Sequence, residues 1–196
     1  MMLAKYSETM SGANIDYYEQ NAEEFFASTV MVDMATLHSR FLAKIPPGGH
    51  ILDAGCGSGR DAKAFSKLGF RVTAFDGAPS LARLASQHLG QNVSVRKFAD
   101  IDEVACYDGV WACASLLHLP LCAVPDAIGR LWIALKPGGC LYFSFKYGTG
   151  ERHRNGRTFT DADEAIVLNW LGSLAGLAKR EIWNTKDQRP ERAEEW

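Results

Sequence analysis

The stretch ILDAGCGSGR, residues 51–60, decides the fold. An apolar run ends in Asp53 and Ala54 and passes at once into Gly55, Gly57 and Gly59. Alternate glycines let the backbone turn sharply and let a ligand approach without side-chain interference. Helical spacing follows from Arg60 to Leu68, with Ala64, Phe65 and Leu68 on one side and Gly69 just past the C-cap. Strand, glycine turn and helix in that order leave free backbone N–H groups at the turn, which suits a carboxylate or another negative group. Asp53, at the strand end, is placed to meet a ligand ammonium.

The alternation continues on both sides. Upstream, residues 14–28 (NIDYYEQNAEEFFAS) read as a helix carrying Tyr17, Tyr18, Phe25 and Phe26. A second helix spans about 33–43, and Pro46-Pro47-Gly48-Gly49 stops it. The first dozen residues carry no such pattern. Downstream of HILDA (50–54), strand-like runs recur at 71–76, 93–97, 108–113, 140–146 and 179–185, separated by helical patterns at 80–89, 124–135 and 161–171. Such alternation makes right-handed βαβ units and a parallel sheet. The expectation is an α/β, Rossmann-like, doubly wound, mostly parallel sheet of six or seven strands with helices on both faces. One domain is expected over 1–196, with 1–45 a helical cap over the site. Ligands in such folds sit beyond the carboxyl ends of the strands, at the topological switch point.

Composition narrows the partner classes. Hydrophobic residues at 47% and charged residues at 22% fit an ordinary globular protein, and a net charge of −2 gives no general attraction to nucleic acid or anionic lipid. No apolar stretch reaches the ~18 residues of a spanning helix. The first residues lack the basic-then-apolar layout of a secretory leader. The five cysteines, Cys56, Cys106, Cys113, Cys122 and Cys140, are odd in number and never spaced C-x-x-C. That argues against a disulfide framework or a zinc cluster and for a cytoplasmic setting.

Spacing separates two nucleotide-binding patterns. A dinucleotide fingerprint, G-x-G-x-x-G, begun at Gly55 would put its third glycine at Arg60, too large for close helix–strand packing. The order here is G-x-G-x-G with an acid two residues ahead of it. ILDAGCGSG resembles motif I of the class I S-adenosylmethionine-dependent methyltransferases, and the resemblance runs from about Ile51 to Lys146. It implies that family's fold, S-adenosylmethionine as cofactor, and methyl transfer. By this resemblance Asp53, Gly55, Cys56 and Gly57 cradle the methionine end, and Arg60 meets its carboxylate. Asp76, closing the second strand beside Gly77, accepts from ribose hydroxyls. Leu81 rests on adenine, although Ala78 stands where the family usually has a Ser cap. Asp100 takes the adenine amino hydrogen and Ile101 offers its N–H to the ring. Ala112 and Leu116, in the fourth-strand motif DGVWACASLLHL (108–119), flank the sulfonium end. Tyr18 closes the site from the N-terminal helix, with Asn21 as a companion on the acceptor side.

In-line displacement from a sulfonium needs alignment above all. A base is needed only when the acceptor carries a proton at its reacting atom. His118, just after the fourth strand, is the candidate base. FKYGTGERHRNGR (145–157) gathers Lys146, Arg152, His153, Arg154 and Arg157 among three glycines and reads as a mobile basic flap. Its arginines, Arg157 included, suit an anionic acceptor. No D/N-P-P-Y follows the fourth strand and no Pro-Cys pair is present, so a small molecule is expected rather than nucleic acid. Y-x-x-N-A-x-x-F before motif I and FKYG after it are similar to small bacterial tellurite-resistance-related methyltransferases, which implies an anionic or soft nucleophile. The competing readings are an NAD(P)-dependent oxidoreductase and a non-catalytic S-adenosylmethionine-binding partner protein. Little sequence follows Asp187-Gln188-Arg189-Pro190 to build an antiparallel seventh strand, so an open sheet edge available to oligomer contacts is expected there.

Overall fold

A computed structural model describes residues 12–189 and 194–196. The expectation for the first dozen residues therefore lies, all but its last position, outside the described residues. Strands β1 (His50–Ala54), β2 (Arg71–Asp76), β3 (Ser94–Val95), β4 (Tyr107–Ala112) and β5 (Leu135–Phe143) form one parallel sheet in the order β3-β2-β1-β4-β5. The chain steps outward from β1 through β2 to β3, then returns to the other side of β1 with β4. The switch point lies between β1 and β4, beside the glycine turn.

Period-two alternation in the central strands makes the two cores. Leu52, Ala54, Val110 and Ala112 face one side, with Ile128 and Leu131 of α6 (Val124–Ala134) and Trp170 of α7 (Glu164–Leu171). Ile51 and Trp111 face the other, with Leu37 and Phe41 of α3 (Ala35–Leu42), Phe65 of α4 (Arg60–Lys67) and Ala82 and Ala85 of α5 (Pro79–Leu89). Residues 12–20 (α1) and Ala22–Thr29 (α2) form two helices where the sequence suggested one; Asn21 separates them and bonds its side-chain amide to the Tyr17 carbonyl at 2.7 Å.

α5 begins without a side-chain cap at Ala78, as the sequence indicates. The cap comes instead from α1. Glu19 accepts from the Ser80 N–H at 2.8 Å and from the Ser80 hydroxyl at 2.5 Å. These bonds hold the Glu19 carboxyl below its ordinary pKa. Asn14 bolts the same helix at its other end. Its amide donates to the carbonyls of His118 and Thr158, and its oxygen accepts from the Thr158 N–H at 2.8 Å.

Three expectations are corrected. The main sheet has five strands, not six or seven. Residues 179–185 do not form a strand of the main sheet; side-chain contacts hold most of the segment, and only its end pairs through the backbone. Glu181 pairs with Lys179, Arg40 and Lys44, and Arg40 lies 3.7 Å over the Trp183 ring. Thr185 exchanges two backbone bonds with Trp196. The basic flap is an ordered hairpin, β6 (Gly150–Arg154) against β7 (Arg157–Asp161), closed by Asn155 and Gly156 with φ of 51° and 74°. Two left-handed residues in an Asn-Gly pair make the tight loop that matches strand twist. Asp161 thus ends β7, and α7 starts later, where the Asp163 carboxylate caps Ile166 N–H at 2.9 Å. No described helix is long and apolar enough to cross a membrane.

Gly109 in β4 marks how closely the N-terminal helices press on the sheet. A Cβ there would meet Ile45 Cδ1 at 2.6 Å and Phe41 Cζ at 2.7 Å. Gly109→Ala should therefore cost about 1–3 kcal/mol by overpacking, read as a lower denaturant midpoint at unchanged slope. An unchanged midpoint would show that α3 is not seated on β4.

Candidate cofactor and acceptor site

Two cavities open at the carboxyl ends of β1, β2 and β4 and share Tyr18, Phe25, Gly55, Gly57, Ala114 and His118 as their common wall. The turn that builds this wall is left-handed at Gly55, Gly57 and Gly59, with φ of 75°, 55° and 72°. A Cβ on Gly55 would also meet Ser115 Cβ at 2.6 Å, so the turn needs glycine for space as well as for conformation. Ser115 in turn donates its hydroxyl to the Ala54 carbonyl at 2.7 Å. Ala114, with φ of 52°, is a non-glycine residue held left-handed at the tip of β4, and its N–H is bonded by Ser144 Oγ at 2.9 Å. Strain of this kind concentrates where backbone must approach a ligand.

The first cavity, of about 110 Å³, carries the nucleoside-like features. Asp76 lies at its base, and its two carboxylate oxygens accept from the N–H groups of Gly57 (2.8 Å) and Ala78 (2.9 Å). A carboxylate has about four acceptor sites, so these bonds leave capacity to accept from a ligand hydroxyl. Burial raises the Asp76 pKa against these stabilising bonds. Gly77, Leu81 and Phe98 supply flat or apolar walls, and Ile15 and Tyr18 close the cavity from α1.

The second cavity, of about 150 Å³, is lined by Asp53, Cys56, Arg60 and Asp61 on one side. Asp53 is 2% exposed and accepts one backbone bond, from Ala62 at 3.0 Å. Burial, then the charge of Asp61, pushes its carboxyl well above the usual carboxylate range. A cation in the cavity would relieve that penalty. Asp61 is the best-bonded acid of the site. It accepts from Arg60 through Nε at 2.7 Å and Nη2 at 2.8 Å, from His38 at 2.9 Å and from the Trp111 indole at 2.9 Å. Despite burial, the Arg60 and His38 contacts hold its pKa far below normal. Arg60 is consequently anchored by two of its nitrogens and keeps Nη1 for a ligand. Cys56 and Cys113 also line this cavity; burial raises the first thiol strongly and the second to about 12, so both are neutral.

The opposite wall holds the catalytic candidates read from the sequence, His118 and Arg157. Tyr18 Oη lies 2.8 Å from His118 Nε2, and Arg157 Nη1 donates to the same hydroxyl at 3.3 Å. Arg157 can only donate, so the Tyr18 oxygen accepts from it, and one further hydrogen is shared between Tyr18 Oη and His118 Nε2. Burial, then the Arg157 charge, lowers the His118 pKa to about 3.

Sequence reading missed some groups and misplaced others. Asp100 and Ile101 line neither cavity: the Asp100 carboxylate accepts from its own turn at Lys97 N–H (2.8 Å), and Ile101 is 2% exposed in the core. Phe98 takes their place. Ala112 and Leu116 are fully buried behind the wall that Ala114, Ser115 and Leu117 present. Asn21 faces its own helix rather than a cavity. Asn14, Phe25 and the segment Thr185–Arg189 line the cavities without having been singled out; Phe25 had a visible signal, its aromatic spacing from Tyr18, whereas the others depend on distant contacts.

Residues 26–175 match the methyltransferase domain family. The chain is 38% identical over 106 residues to the ubiquinone biosynthesis O-methyltransferase of Xanthomonas campestris pv. campestris, covering 50% of this chain and 43% of that protein. It thus spans about half the length of the curated relatives it matches. Among solved structures, it superposes on Burkholderia thailandensis 1,6-didemethyltoxoflavin-N1-methyltransferase, bound to its toxoflavin precursor and S-adenosylhomocysteine, with a TM-score of 0.73 at 21% identity, over 98% of this chain and 86% of that one. A TehB-like S-adenosylmethionine-dependent methyltransferase from Corynebacterium glutamicum gives 0.56 at 26% identity, over 71% and 76%.

Replacing Asp61 by Asn would leave Arg60 without its buried counter-charge and His38 and Trp111 with a weaker acceptor. Asp61→Asn should lose about 3–5 kcal/mol of stability in chemical denaturation. A loss below about 1 kcal/mol would show that the acid does not organise this wall.

Proposed function

The chain belongs to the methyltransferase domain family, and on that premise we propose that it moves a methyl group from S-adenosylmethionine to a small-molecule acceptor. The single observation that carries this reading is the pair of joined cavities, one with a buried carboxylate at its base and the other with a buried acid whose pKa burial and the Asp61 charge push up. In this reading Asp53 takes the ligand ammonium, and Gly55, Cys56 and Gly57 pass beneath the methionine chain. Arg60 offers Nη1 to its carboxylate. Asp76 holds the ribose hydroxyls beside Gly77, and Leu81 and Phe98 sandwich the adenine. Residues 12–42 cover both cavities, which supports a domain over 1–196 with 1–45 as its cap. The bound S-adenosylhomocysteine of the Burkholderia relative supports the cofactor. S-adenosylmethionine, when bound, would supply an activated methyl and a neutral leaving thioether.

What the chain itself contributes is alignment and exclusion of water. The acceptor lies in the second cavity between Phe159, Tyr142, Trp196 and Arg157, on the far side of the shared wall. Its anionic character is favoured by Arg157; a soft nucleophile, as in tellurite-resistance-related enzymes, is favoured by the likeness to the TehB-like fold. The cysteines are unpaired in the structure, which supports a cytoplasmic setting.

Two measurements test the reading. Calorimetric titration should detect S-adenosylmethionine and S-adenosylhomocysteine binding and none with NADH; the reverse order would overturn it. The second concerns pH. Asp53 must ionise to hold the ammonium, and its pKa in the free protein is raised, so affinity should climb as pH rises above about 4, the ordinary carboxylate value. Binding should release a proton across that window. Asp53→Asn should flatten the profile and weaken S-adenosylhomocysteine at least tenfold, about 1.4 kcal/mol. A variant that kept wild-type affinity would remove Asp53 from the site.

A further inference from the structure

The second cavity is lined by several cations, and all but one of the sheltered ones are already neutralised. Arg60 is bonded through two nitrogens to Asp61. Lys146, 5% exposed, lies 2.6 Å from Glu194. Arg189 is bonded through two nitrogens to Asp187. Lys186 is exposed to solvent. Arg157 differs. Its hydrogen bond goes to a neutral phenol, its Nε is buried without a partner, and no described carboxylate pairs with it.

The surroundings keep that charge in place without cancelling it. The guanidinium carbon lies 4.6 Å from the Tyr17 ring centroid, 5.1 Å from Phe159 and 5.8 Å from Tyr18. Aromatic faces attract a cation, but their contribution is about 0.5–2 kcal/mol and leaves the formal charge available to an anion. β7 fixes the backbone of Arg157 beside the Asn155-Gly156 loop, and Tyr18, itself bonded to His118, fixes one nitrogen of its fork. Tyr142, Phe159, Leu117 and Trp196 give the cavity an apolar surface, while Arg60, Lys146 and Arg189 are engaged in the pairs above. An aromatic surface beside one oriented cation that no described carboxylate neutralises fits a ligand with an apolar body and an anionic head.

The same wall argues against a general base. Tyr18 already engages His118 Nε2, and a new positive charge on His118 would sit beside Arg157. An acceptor that arrives already ionised needs neither group as a base.

We propose, resting on the methyltransferase reading, that the acceptor is a small organic acid with an apolar body. One oxygen of its ionised group is held by Arg157 and another is the methylated atom, with Tyr18 and His118 acting as positioning residues for Arg157. In the transfer, the lone pair of the free oxygen forms the new C–O bond as the C–S bond breaks, and that electron pair returns to sulfur. The negative acceptor and positive donor become a neutral ester and a neutral thioether, and no proton is released. Charge annihilation of this kind is favoured in an apolar cavity, where water does not stabilise the separated ions.

The test uses the protein loaded with S-adenosylhomocysteine, titrated calorimetrically with benzoate and with its neutral isostere benzamide. Benzoate should bind at least tenfold more tightly. Arg157→Met, which keeps the apolar stem, should bring the two to within twofold, and Arg157→Lys should restore part of the preference. S-adenosylhomocysteine affinity should stay within twofold in both variants, which also shows that they fold. Tyr18→Phe should weaken benzoate several-fold, and His118→Gln, which keeps a hydrogen-bond partner for the Tyr18 hydroxyl, should restore most of what His118→Ala loses. Equal binding of benzoate and benzamide, binding of neither, or a benzoate preference that survives Arg157→Met would overturn the proposal. Failure of the wild type to bind S-adenosylhomocysteine would overturn instead the methyltransferase reading beneath it.

Discussion

The hydrogen bond from the Gly57 N–H to the Asp76 carboxylate ties the tips of two neighbouring strands together, and the site depends on it. Three left-handed glycines let the chain leave β1, pass beneath an open cavity and enter α4 without placing a side chain in the way. The bond orients the Asp76 carboxylate, and the same acid sets the start of α5 through Ala78. A buried acid used in this way is costly to ionise, which its raised pKa reflects. The return is a fixed acceptor pair in a water-poor setting.

The cap over this frame is held by polar bolts rather than by apolar area alone. Asn14 joins α1 to β7 and to the turn after β4, and Glu19 joins it to α5. The helix carrying Tyr18 is therefore referenced to both sides of the site at once. Asp61 performs the corresponding task on the opposite wall, connecting α3, α4 and β4 through His38, Arg60 and Trp111. Between the two walls the electrostatics are divided: buried acids with raised pKa values, Asp53 and Asp76, flank the glycine turn, and Arg157 has no carboxylate partner among the described residues. A zwitterionic, sulfonium-bearing nucleoside and an anionic acceptor would each meet its complement.

Local pattern carried much of this into the sequence. HILDA and RVTAFD are strands over the same residues in the structure, because apolar β-rich runs bounded by glycine or turn residues leave little choice. The shortened β3 and the lost strand at 179–185 show the limit. Both have strand-like composition, but whether a run joins a ladder depends on neighbours that composition does not specify. The hairpin at β6 and β7 was legible: Asn155-Gly156 is a strong turn signal, and a dense basic run drew the reading toward a loop instead. The Glu19 cap on Ser80 was not legible, since it spans 61 positions. Asp100 shows the risk of carrying a role by position alone, because a three-residue turn redirects its carboxylate to Lys97.

The central claim is that the glycine turn and its flanking acids enclose the nucleoside. A crystal structure of the protein with S-adenosylhomocysteine tests it most directly. The account predicts the ribose hydroxyls on Asp76, the ammonium on Asp53, and the thioether at the wall shared by the two cavities. Electron density for the ligand elsewhere, with Phe25 and Tyr18 closed down on Gly57 and the cavity filled by the protein's own side chains, would contradict it.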